Sequence, residues 1–473
     1  MVKRFLMFSY GSWVTAAVSF LSAPVITLLI VPEEFGKSAM FRAALMAAFQ
    51  VGLLGADQSL LRMFHEKPDG ERASLARMCF LISIAATAVI SCVVAILWRP
   101  VSAALFNEHD LAAVLLLAGC CVSFAVNNYA LSIVRLSNRG HVLSAGQIAG
   151  AAAYLAVTVY YAKFAAPTFH AVVWGIAASS VVSIFIYVFA ERRFWTRRVD
   201  LAFFNRAELK RILAYGLPMV PVLAMTFIFQ SMDKIALRVY APFEEIGLYA
   251  VAGKYVFLLT LLQSGFYLYW SPAAFERYEA NREDYRFFED AFGYAAAAVL
   301  TAGGALLLFK DVIALILAPS YRDAVYIMPF LLLAPLMYIM GEISGAGVRL
   351  KKRTHLYIIV VAGAALANLA GNFYLVPMFG ARGAAISTGA AYIVYFYLKT
   401  AVSRGLFPAQ YPIMKFMPAF LILMIFLCLN TFVAVPWQYN AVPVLAAAAL
   451  HRSIIIRILR ELVPDIKAIK VKR

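Results

Sequence analysis

The stretch FHAVVWGIAASSVVSIFIYVFA, residues 169–190, determines the class of this protein. It contains no Asp, Glu, Lys or Arg, and about 20 mainly apolar residues let a helix cross the hydrocarbon of a bilayer. The full chain of 473 residues has the same character, with 63% hydrophobic and only 14% charged residues. Because an average soluble domain carries about 25% charged residues, this composition cannot supply a water-facing surface. We exclude a soluble enzyme and expect an integral membrane protein.

Apolar runs of membrane-spanning length recur along the whole chain, separated by short charged or Pro- and Gly-containing segments. The connecting loops are no longer than about 20 residues, too short for a folded extramembrane domain. We therefore predict an all-α, polytopic membrane protein with fourteen transmembrane helices. The predicted spans are 5–31, 36–60, 75–98, 111–135, 142–163, 169–190, 211–239, 246–270, 290–309, 324–348, 355–377, 382–402, 413–434 and 439–459.

The 42 Lys and Arg residues outnumber the 25 Asp and Glu residues, a net charge of +17. In a chain this apolar the excess indicates cytoplasmic loops rather than nucleic-acid binding, because basic residues near helix ends stay inside. Most of the basic residues fall on one side of the fourteen-span topology, which places both termini in the cytoplasm. The basic C-terminal tail is expected to attract anionic membrane lipid. The five cysteines lie in apolar stretches without metal-ligand spacing, so no disulfide or metal site is predicted.

Four landmarks of the first half recur in the same order in the second half. The pairs are YG at 10–11 and 215–216, EEFG at 33–36 and EEIG at 244–247, RLSNRGH at 135–141 and RLKKRTH at 349–355, and AGAA at 149–152 and 362–365. Six spans per repeat bring both halves into the bilayer in the same direction, as in transporters whose halves rock about a central site. We predict six-helix bundles at 1–205 and 206–405, and two further helices with a basic cytoplasmic tail at 406–473.

Three longer patterns carry a resemblance to a known family. They are PEEFG at 32–36 with GADQ at 55–58 and Arg62, Asp233 with Glu245-x-Gly247-x-Tyr249 and Lys254, and Asn372-x-x-Leu375-x-Pro377-x-x-Gly380-x-x-Gly383-Ala384-Ala385. On these residues the chain resembles the polysaccharide transporter family of the MATE-like MOP flippase superfamily, the Wzx-type exporters of lipid-linked oligosaccharides.

The resemblance implies two bundles around a cavity that opens alternately to either side of the bacterial inner (cytoplasmic) membrane. It implies that the cargo is an undecaprenyl-diphosphate-linked oligosaccharide, moved to the periplasmic leaflet for O-antigen, capsule or exopolysaccharide synthesis, including lipopolysaccharide. Polysaccharide polymerase or assembly proteins are the implied protein partners. Two extra helices form a groove for the lipid tail in several relatives, a role open to spans 13 and 14.

Ionisable residues inside predicted spans are costly in hydrocarbon and are therefore candidates for function. Arg42 and Lys254 lie at matched depth in the two repeats. With Lys234 and Arg238 they predict a cationic substrate-binding cavity suited to a diphosphate. The alternative that stays open is that each side chain snorkels to nearby headgroups.

Three neutral residues join this predicted cavity. Gln230 is spaced by four from Lys234 and extends the polar stripe of span 7. Asn368 and Asn372 share one face of span 11, where they either line the cavity or bridge helices.

Carboxylates inside the spans are candidates for ion coupling. Glu342 and Asp233 are candidates to carry a coupling proton. The alternative for Glu342 is a structural pairing with Arg349 or with an Asn on another helix, and the alternative for Asp233 is a pairing with Lys234. Asp57 and Arg62 are predicted to form a structural ion pair. No bound cofactor is expected beyond an H+ or Na+ gradient, and no nucleotide-binding motif supports ATP hydrolysis.

Two other functions stay open from the sequence. A MATE-type multidrug or cation antiporter has the same fold, but its cavity is expected to be anionic, whereas the candidate residues here are cationic on balance. A membrane glycan polymerase or ligase generally needs a sizeable outer loop that positions an acid or base. No predicted outer loop is long enough, so we expect a flippase rather than an enzyme.

Overall fold

A computed structural model describes residues 2–197, 200, 203–454 and 456. Every regular element in these residues is a helix and no strand occurs among them, so the all-α prediction is confirmed. The chain forms two compact units, Met1–Ala250 and Val251–Arg473. The predicted bundle boundaries after residues 205 and 405 stay a prediction.

The first unit contains eleven complete helices and the start of a twelfth. They are α1 (Val2–Leu29), α2 (Pro32–Gly52), α3 (Ala56–Met63), α4 (Arg72–Ile96), α5 (Trp98–Phe106), α6 (Leu111–Leu136), α7 (Gly140–Phe164), α8 (Phe169–Ala190), α9 (Arg192–Trp195), α10 (Arg206–Gly216), α11 (Met219–Tyr240) and α12 (Phe243–Ala280). The second unit continues with α13 (Tyr285–Leu308), α14 (Lys310–Ile316), α15 (Ala324–Leu331), α16 (Leu333–Ser344), α17 (Ala346–Leu350), α18 (Tyr357–Arg404), α19 (Ile413–Phe432) and α20 (Ala441–Leu450).

The length and apolar composition of the helices are those of a multi-pass membrane protein. Within the described residues, nine helical stretches are long and apolar enough to cross a membrane, or ten if α2 and α3 form one bent span. Two of the nine combine consecutive helices, at Arg206–Tyr240 and Pro319–Ser344. Each predicted span overlaps at least one helix, and the spans at 355–377 and 382–402 share α18. The number of fourteen membrane crossings stays a prediction.

Two breaks interrupt long apolar runs. Leu54 and Gly55 adopt left-handed backbone conformations, with φ of 50° and 67°, and α3 leaves α2 at an angle of 57°. In α18, Gly380 has φ 55° and ψ −130°, a conformation that only glycine adopts at little cost. This kink separates the two spans predicted on either side of it.

Local sequence explains where several helices begin. Pro32 starts α2, where its missing N–H costs nothing, and Glu33 and Glu34 follow in the positively polarised first turn. Asp110 begins α6 by accepting a hydrogen bond from the Ala113 amide at 2.9 Å. These starts lie close to the span boundaries expected from the sequence.

The repeated EE-x-G motifs lie against each other in the first unit. A Cβ atom on Gly36 would collide with the Phe243 carbonyl oxygen, and one on Gly247 would collide with the Pro32 carbonyl oxygen. The contact is reciprocal, since each glycine faces the residue four positions before the other. Only glycine allows backbones to approach so closely. The starts of α2 and α12 therefore meet through the sequence repeat itself.

The C-terminal helices pack on their own unit. Helix α13 contacts α16, α19 and α20, and α15 also contacts α19. Whether these last helices hold a lipid tail stays a prediction. The basic tail from residue 457 onward lies outside the described residues, and so does the expected contact of that tail with anionic lipid.

Candidate functional site

Two of the predicted cavity cations lie in the same region of the first unit. Arg42 is exposed on α2, and Lys234 is half-buried on α11, which packs against α2. The Arg42 guanidinium is close enough to act electrostatically on the Lys234 ammonium and on the Tyr154 hydroxyl of α7. Two positive side chains from different helices thus share one intramembrane region.

Asp233 is the carboxylate beside these cations. It is 7% exposed and accepts a hydrogen bond from the Tyr249 hydroxyl at 2.6 Å. It also interacts electrostatically with the neighbouring Lys234 ammonium. Tyr249 lies on α12, one turn before Lys254, so this hydrogen bond ties α11 to the first turns of α12. One carboxylate with two cations leaves this cluster positive.

Arg238, the fourth predicted cavity cation, has partners at the end of α5. Its Nε donates to the Ala104 carbonyl at 2.8 Å and its Nη2 to the Ala103 carbonyl at 3.1 Å, while the guanidinium stacks 4.8 Å from the Phe243 ring centre. These carbonyls end α5, where the helix dipole favours a cation. Because its donors cap a helix, we leave Arg238 out of the proposed binding set.

The other predicted cavity residues lie on several helices. Gln230 is exposed on α11, one turn before Lys234. Lys254 is half-buried on α12 in the second unit, and its pairing with Arg42 around one cargo stays a prediction. On α18, Asn372 Nδ2 donates to Asn368 Oδ1 at 3.0 Å, and both side chains are buried. The Asn368 carbonyl accepts from Ser387 Oγ at 2.8 Å, which links the two segments of the kinked helix.

Glu342 lies at the centre of a buried ion cluster in the second unit. Its Oε1 accepts from Lys399 Nζ of α18, and its Oε2 lies 2.9 Å from Arg349 Nη2 of α17. The Glu342 carbonyl accepts from Trp270 Nε1 at 3.1 Å. The alternative raised from the sequence, a pairing of Glu342 with Arg349, is therefore present, together with a second cation.

Lys399 was not among the residues selected from the sequence. Its Nζ also donates to the Tyr395 hydroxyl at 2.8 Å, and it lies 4.9 to 5.6 Å from the ring centres of Tyr395, Tyr357 and Tyr338. This aromatic cage supplies cation–π attraction in a desolvated place. The signal that could have found it is the spacing of four between Tyr395 and Lys399, which puts both on one helix face.

Asp57 and Arg62 do not form the predicted ion pair. Arg62 Nη1 binds Glu66, one turn further along, and Asp57 Oδ2 accepts from Gln58 Nε2 at 2.7 Å. Residues five apart lie about 140° apart around a helix, whereas pairs four apart share a face. The structure therefore corrects this prediction, and Asp57 is buried while Arg62 is exposed.

In the described part of the chain, no group of three or more His, Cys, Asp and Glu side chains is arranged to hold a metal ion. The described cysteines are free thiols.

The family model described as "Polysaccharide biosynthesis protein" matches residues 1–275, more than half of the chain. The chain belongs to this family. The family recognised from the sequence motifs is thereby confirmed. No curated protein sequence matches the chain.

Solved structures show the same fold along most of the chain. The lipid II flippase MurJ in an inward closed conformation has a TM-score of 0.71 at 14% identity, covering 97% of this chain and 99% of that one. An inward-facing multidrug resistance MATE transporter of the MOP superfamily has a TM-score of 0.61 at 15% identity, covering 83% and 94%. A MOP superfamily transporter from Pyrococcus furiosus has a TM-score of 0.51 at 15% identity, covering 86% and 96%. The chain thus has the MOP transporter fold.

Proposed function

We propose that the protein is a flippase that moves an undecaprenyl-diphosphate-linked oligosaccharide from the cytoplasmic to the periplasmic leaflet by alternating access. The family assignment and the MOP fold support a membrane transporter acting in polysaccharide synthesis. The observation that carries the proposal is the proximity of Arg42 and Lys234 with Asp233 as the carboxylate beside them. This arrangement favours an anionic cargo.

The chemistry of the cargo fits such a cluster. A diphosphate that leaves water loses strong hydration, and the loss is offset where guanidinium and ammonium groups replace the water. An arginine side chain matches phosphate oxygens in a two-pronged geometry, while a lysine acts as a movable point charge. Arg42 is thus proposed to orient the diphosphate, and Lys234 to neutralise it, with Lys254 of the second repeat as a further cation.

The proposed membrane arrangement has fourteen spans in two parallel repeats plus two C-terminal helices, with both termini in the cytoplasm. In this topology the contact of Gly36 with Phe243 and of Gly247 with Pro32 lies on the periplasmic side. Alternating access requires this contact to separate when the cavity opens outward and to form again afterwards. We place the protein in the bacterial inner membrane, beside polymerase or assembly proteins for O-antigen, capsule or exopolysaccharide.

An H+ or Na+ gradient is the proposed energy source. Both carboxylates chosen from the sequence have partners: Asp233 binds Tyr249, and Glu342 binds Lys399 and Arg349. Ion coupling at either one requires these partners to be exchanged during the transport cycle. This requirement makes the partners themselves experimental targets.

The test uses sealed vesicles that contain the purified protein and a fluorescent polyprenyl-diphosphate-linked oligosaccharide. A membrane-impermeant glycosidase reaches only the outer-leaflet portion unless the cargo is flipped. We expect the wild-type protein to expose nearly all of the cargo, and the double variant Arg42→Ala/Lys234→Ala to expose no more than protein-free vesicles do. Arg62→Ala, which removes an exposed cation outside the cluster, is the matched control and should act like wild type. Equal flipping by the double variant would contradict the proposal.

The likeness to MATE structures keeps a multidrug or cation antiporter as the second candidate. A fluorescent lipophilic cation in the same vesicles separates the two. Gradient-driven movement of that cation, without flipping of the glycolipid, would favour the antiporter.

A further inference from the structure

Asp57 is a buried carboxylate without a cationic partner among the described residues. It is the second residue of α3, directly after the left-handed break at Leu54 and Gly55, and it is 7% exposed. Oδ2 accepts from Gln58 Nε2, whereas Oδ1 has no hydrogen-bond partner, and the Asn128 side chain of α6 is close enough to act on the carboxylate. In the described ranges, no Lys, Arg or His nitrogen lies within ion-pair distance of it.

Two other buried carboxylates inside the predicted spans, Glu342 and Asp233, provide the comparison. Glu342 has Lys399 and Arg349, and Asp233 has the Tyr249 hydroxyl with Lys234 beside it. At the offset of 214 residues that relates Arg135 to Arg349, Glu342 corresponds to Asn128. The first repeat thus has a neutral amide where the second repeat has its ion cluster, and Asp57 lies next to that amide.

A bare carboxylate is unstable in this place. Taking an isolated charge out of water costs several kcal/mol even after relaxation, and buried charges are normally paired, neutralised by a proton or bound to a metal ion. Nearby groups do not provide a cation: the Tyr129 hydroxyl donates to the Cys79 carbonyl at 3.0 Å, and Ser83 Oγ donates to the Leu53 carbonyl at 2.8 Å. Hydrogen bonding from the Gln58 side chain and from the first backbone N–H groups of α3 lowers the cost of the charge without neutralising it. A proton or a small cation would neutralise it.

The groups around Asp57 suit such a ligand. The carboxylate is a hard oxygen donor, the type that binds alkali and alkaline-earth ions. The Asn128 amide, whose buried Nδ2 has no hydrogen-bond partner, can turn its oxygen toward a cation by rotating about its side chain. Broken helices in transporters place unwound backbone carbonyls and helix C-terminal ends around coupling cations, and the C-terminal end of α2, at Gly52, lies at this break. Cys79 and Tyr129 are the other titratable groups near Asp57, and both are neutral in their protonated forms. A single carboxylate with neutral oxygens favours a monovalent ion over a divalent one.

We propose that Asp57, together with Asn128, binds a monovalent cation, H+ or Na+, at the break between α2 and α3. The assignment of this cation as the coupling ion rests on the proposed flippase function, whereas the binding site itself does not. The site also lies next to α10. Ser59 Oγ of α3 donates to the Ile212 carbonyl of α10 at 2.8 Å, and a Cβ on Gly55 would collide with the Gly216 carbonyl. Helix α10 leads into α11, which carries Asp233 and Lys234.

The test applies dicyclohexylcarbodiimide to the full-length wild-type protein in lipid nanodiscs. This apolar reagent couples to protonated, membrane-embedded carboxyl groups and leaves a stable acylurea adduct that mass spectrometry assigns to a residue. In Na+-free buffer we expect labelling of Asp57 to fall about tenfold per pH unit above its titration midpoint. If the site binds Na+, NaCl should also protect Asp57 from labelling, whereas choline chloride should not. If the site binds only a proton, labelling of Asp57 should depend on pH alone. The proposal is overturned if the labelling of Asp57 depends on neither pH nor Na+, or if Asp57 is not labelled under any of these conditions.

Variants supply a second measurement without any glycolipid. The thermal unfolding midpoint of the wild type should depend on pH or on Na+ at constant ionic strength, and Asp57→Asn should lose that dependence. Glu66→Gln, which removes an exposed carboxylate shortly after α3, should keep it. For a Na+ site, Asn128→Ala should raise the half-saturating Na+ concentration about tenfold. If Asp57→Asn retains the wild-type dependence, the site is refuted. A normal cation response in a protein that fails to flip glycolipid would refute only the proposed function.

Discussion

The Lys399 ammonium donates a hydrogen bond to the Glu342 carboxylate, and the two side chains are only 1% and 4% exposed. Removing one partner of such a pair leaves an uncompensated buried charge, at a cost of about 3 to 5 kcal/mol. Removing both avoids the larger part of that cost, because the cation then left without its carboxylate is Arg349, which is 15% exposed. The single and double variants therefore allow the structural role of the pair to be measured separately from a role of Glu342 in ion coupling.

We expect Glu342→Gln to lower the free energy of unfolding by about 3 kcal/mol, because Lys399 then stays buried without its carboxylate. The double variant Glu342→Gln/Lys399→Met should recover more than half of the loss, and chemical denaturation in detergent measures both. If Glu342 carries a coupling proton, the double variant folds but its flipping no longer responds to an imposed gradient. Normal gradient dependence in that variant would remove Glu342 from the coupling candidates.

Arg42 and Lys254 lie at nearly the same depth in the two predicted repeats, one residue out of register, and we expect both to contact the diphosphate. Replacing both by Ala should abolish glycan export, because the anion then meets hydrocarbon with too little compensating charge. Surface glycan and membrane abundance of the protein are measured in cells that lack the native copy. Arg62→Ala serves again as the control, and normal surface glycan in the double variant would contradict the cationic cavity.

The contacts of Gly36 with Phe243 and of Gly247 with Pro32 predict that side chains added at these glycines will hinder closure of the cavity on the periplasmic side. Gly36→Ala and Gly247→Ala each add a Cβ that the opposing backbone carbonyl cannot accommodate. We expect each to slow flipping severalfold while the protein still reaches the membrane. Gly253→Ala on the same helix as Gly247 adds its Cβ to open space and should flip as wild type does. Equal rates for all three variants would show that the contact is not part of the cycle.

Arg238 provides a prediction about stability rather than cargo. Its guanidinium caps the carbonyls of Ala103 and Ala104, and a cation at a helix C-terminus contributes up to about 2 kcal/mol in partly buried positions. We expect Arg238→Ala to lower the thermal unfolding midpoint while the affinity for glycolipid stays unchanged. A loss of glycolipid affinity at unchanged stability would return Arg238 to the binding site.

The all-helical fold and a helix start near residue 36, four residues after the observed start at Pro32, could be predicted, because apolar run length and helix-start residues are local properties. The repeat was visible too, and the glycines of the EEFG and EEIG motifs proved to contact each other's helix starts. The sequence alone could not predict which charged side chains pair with each other. Asp57 and Arg62 are close in sequence but point to different sides of α3. Lys399 lies near the end of a predicted span, so it resembled one of the many basic residues that stay on the cytoplasmic side.

By itself the sequence determined that this is an all-helical membrane protein with an internal repeat, since apolar length and motif order are recorded residue by residue. The tertiary structure alone decided the charge pairs: Lys399 with Glu342, Arg238 with the end of α5, and Asp57 without a cation in the described chain. The physical reason is that an intramembrane charge is stabilised by whatever neighbouring helices present to it. Those neighbours follow from helix rotation and packing across more than 50 residues, as between Glu342 and Lys399.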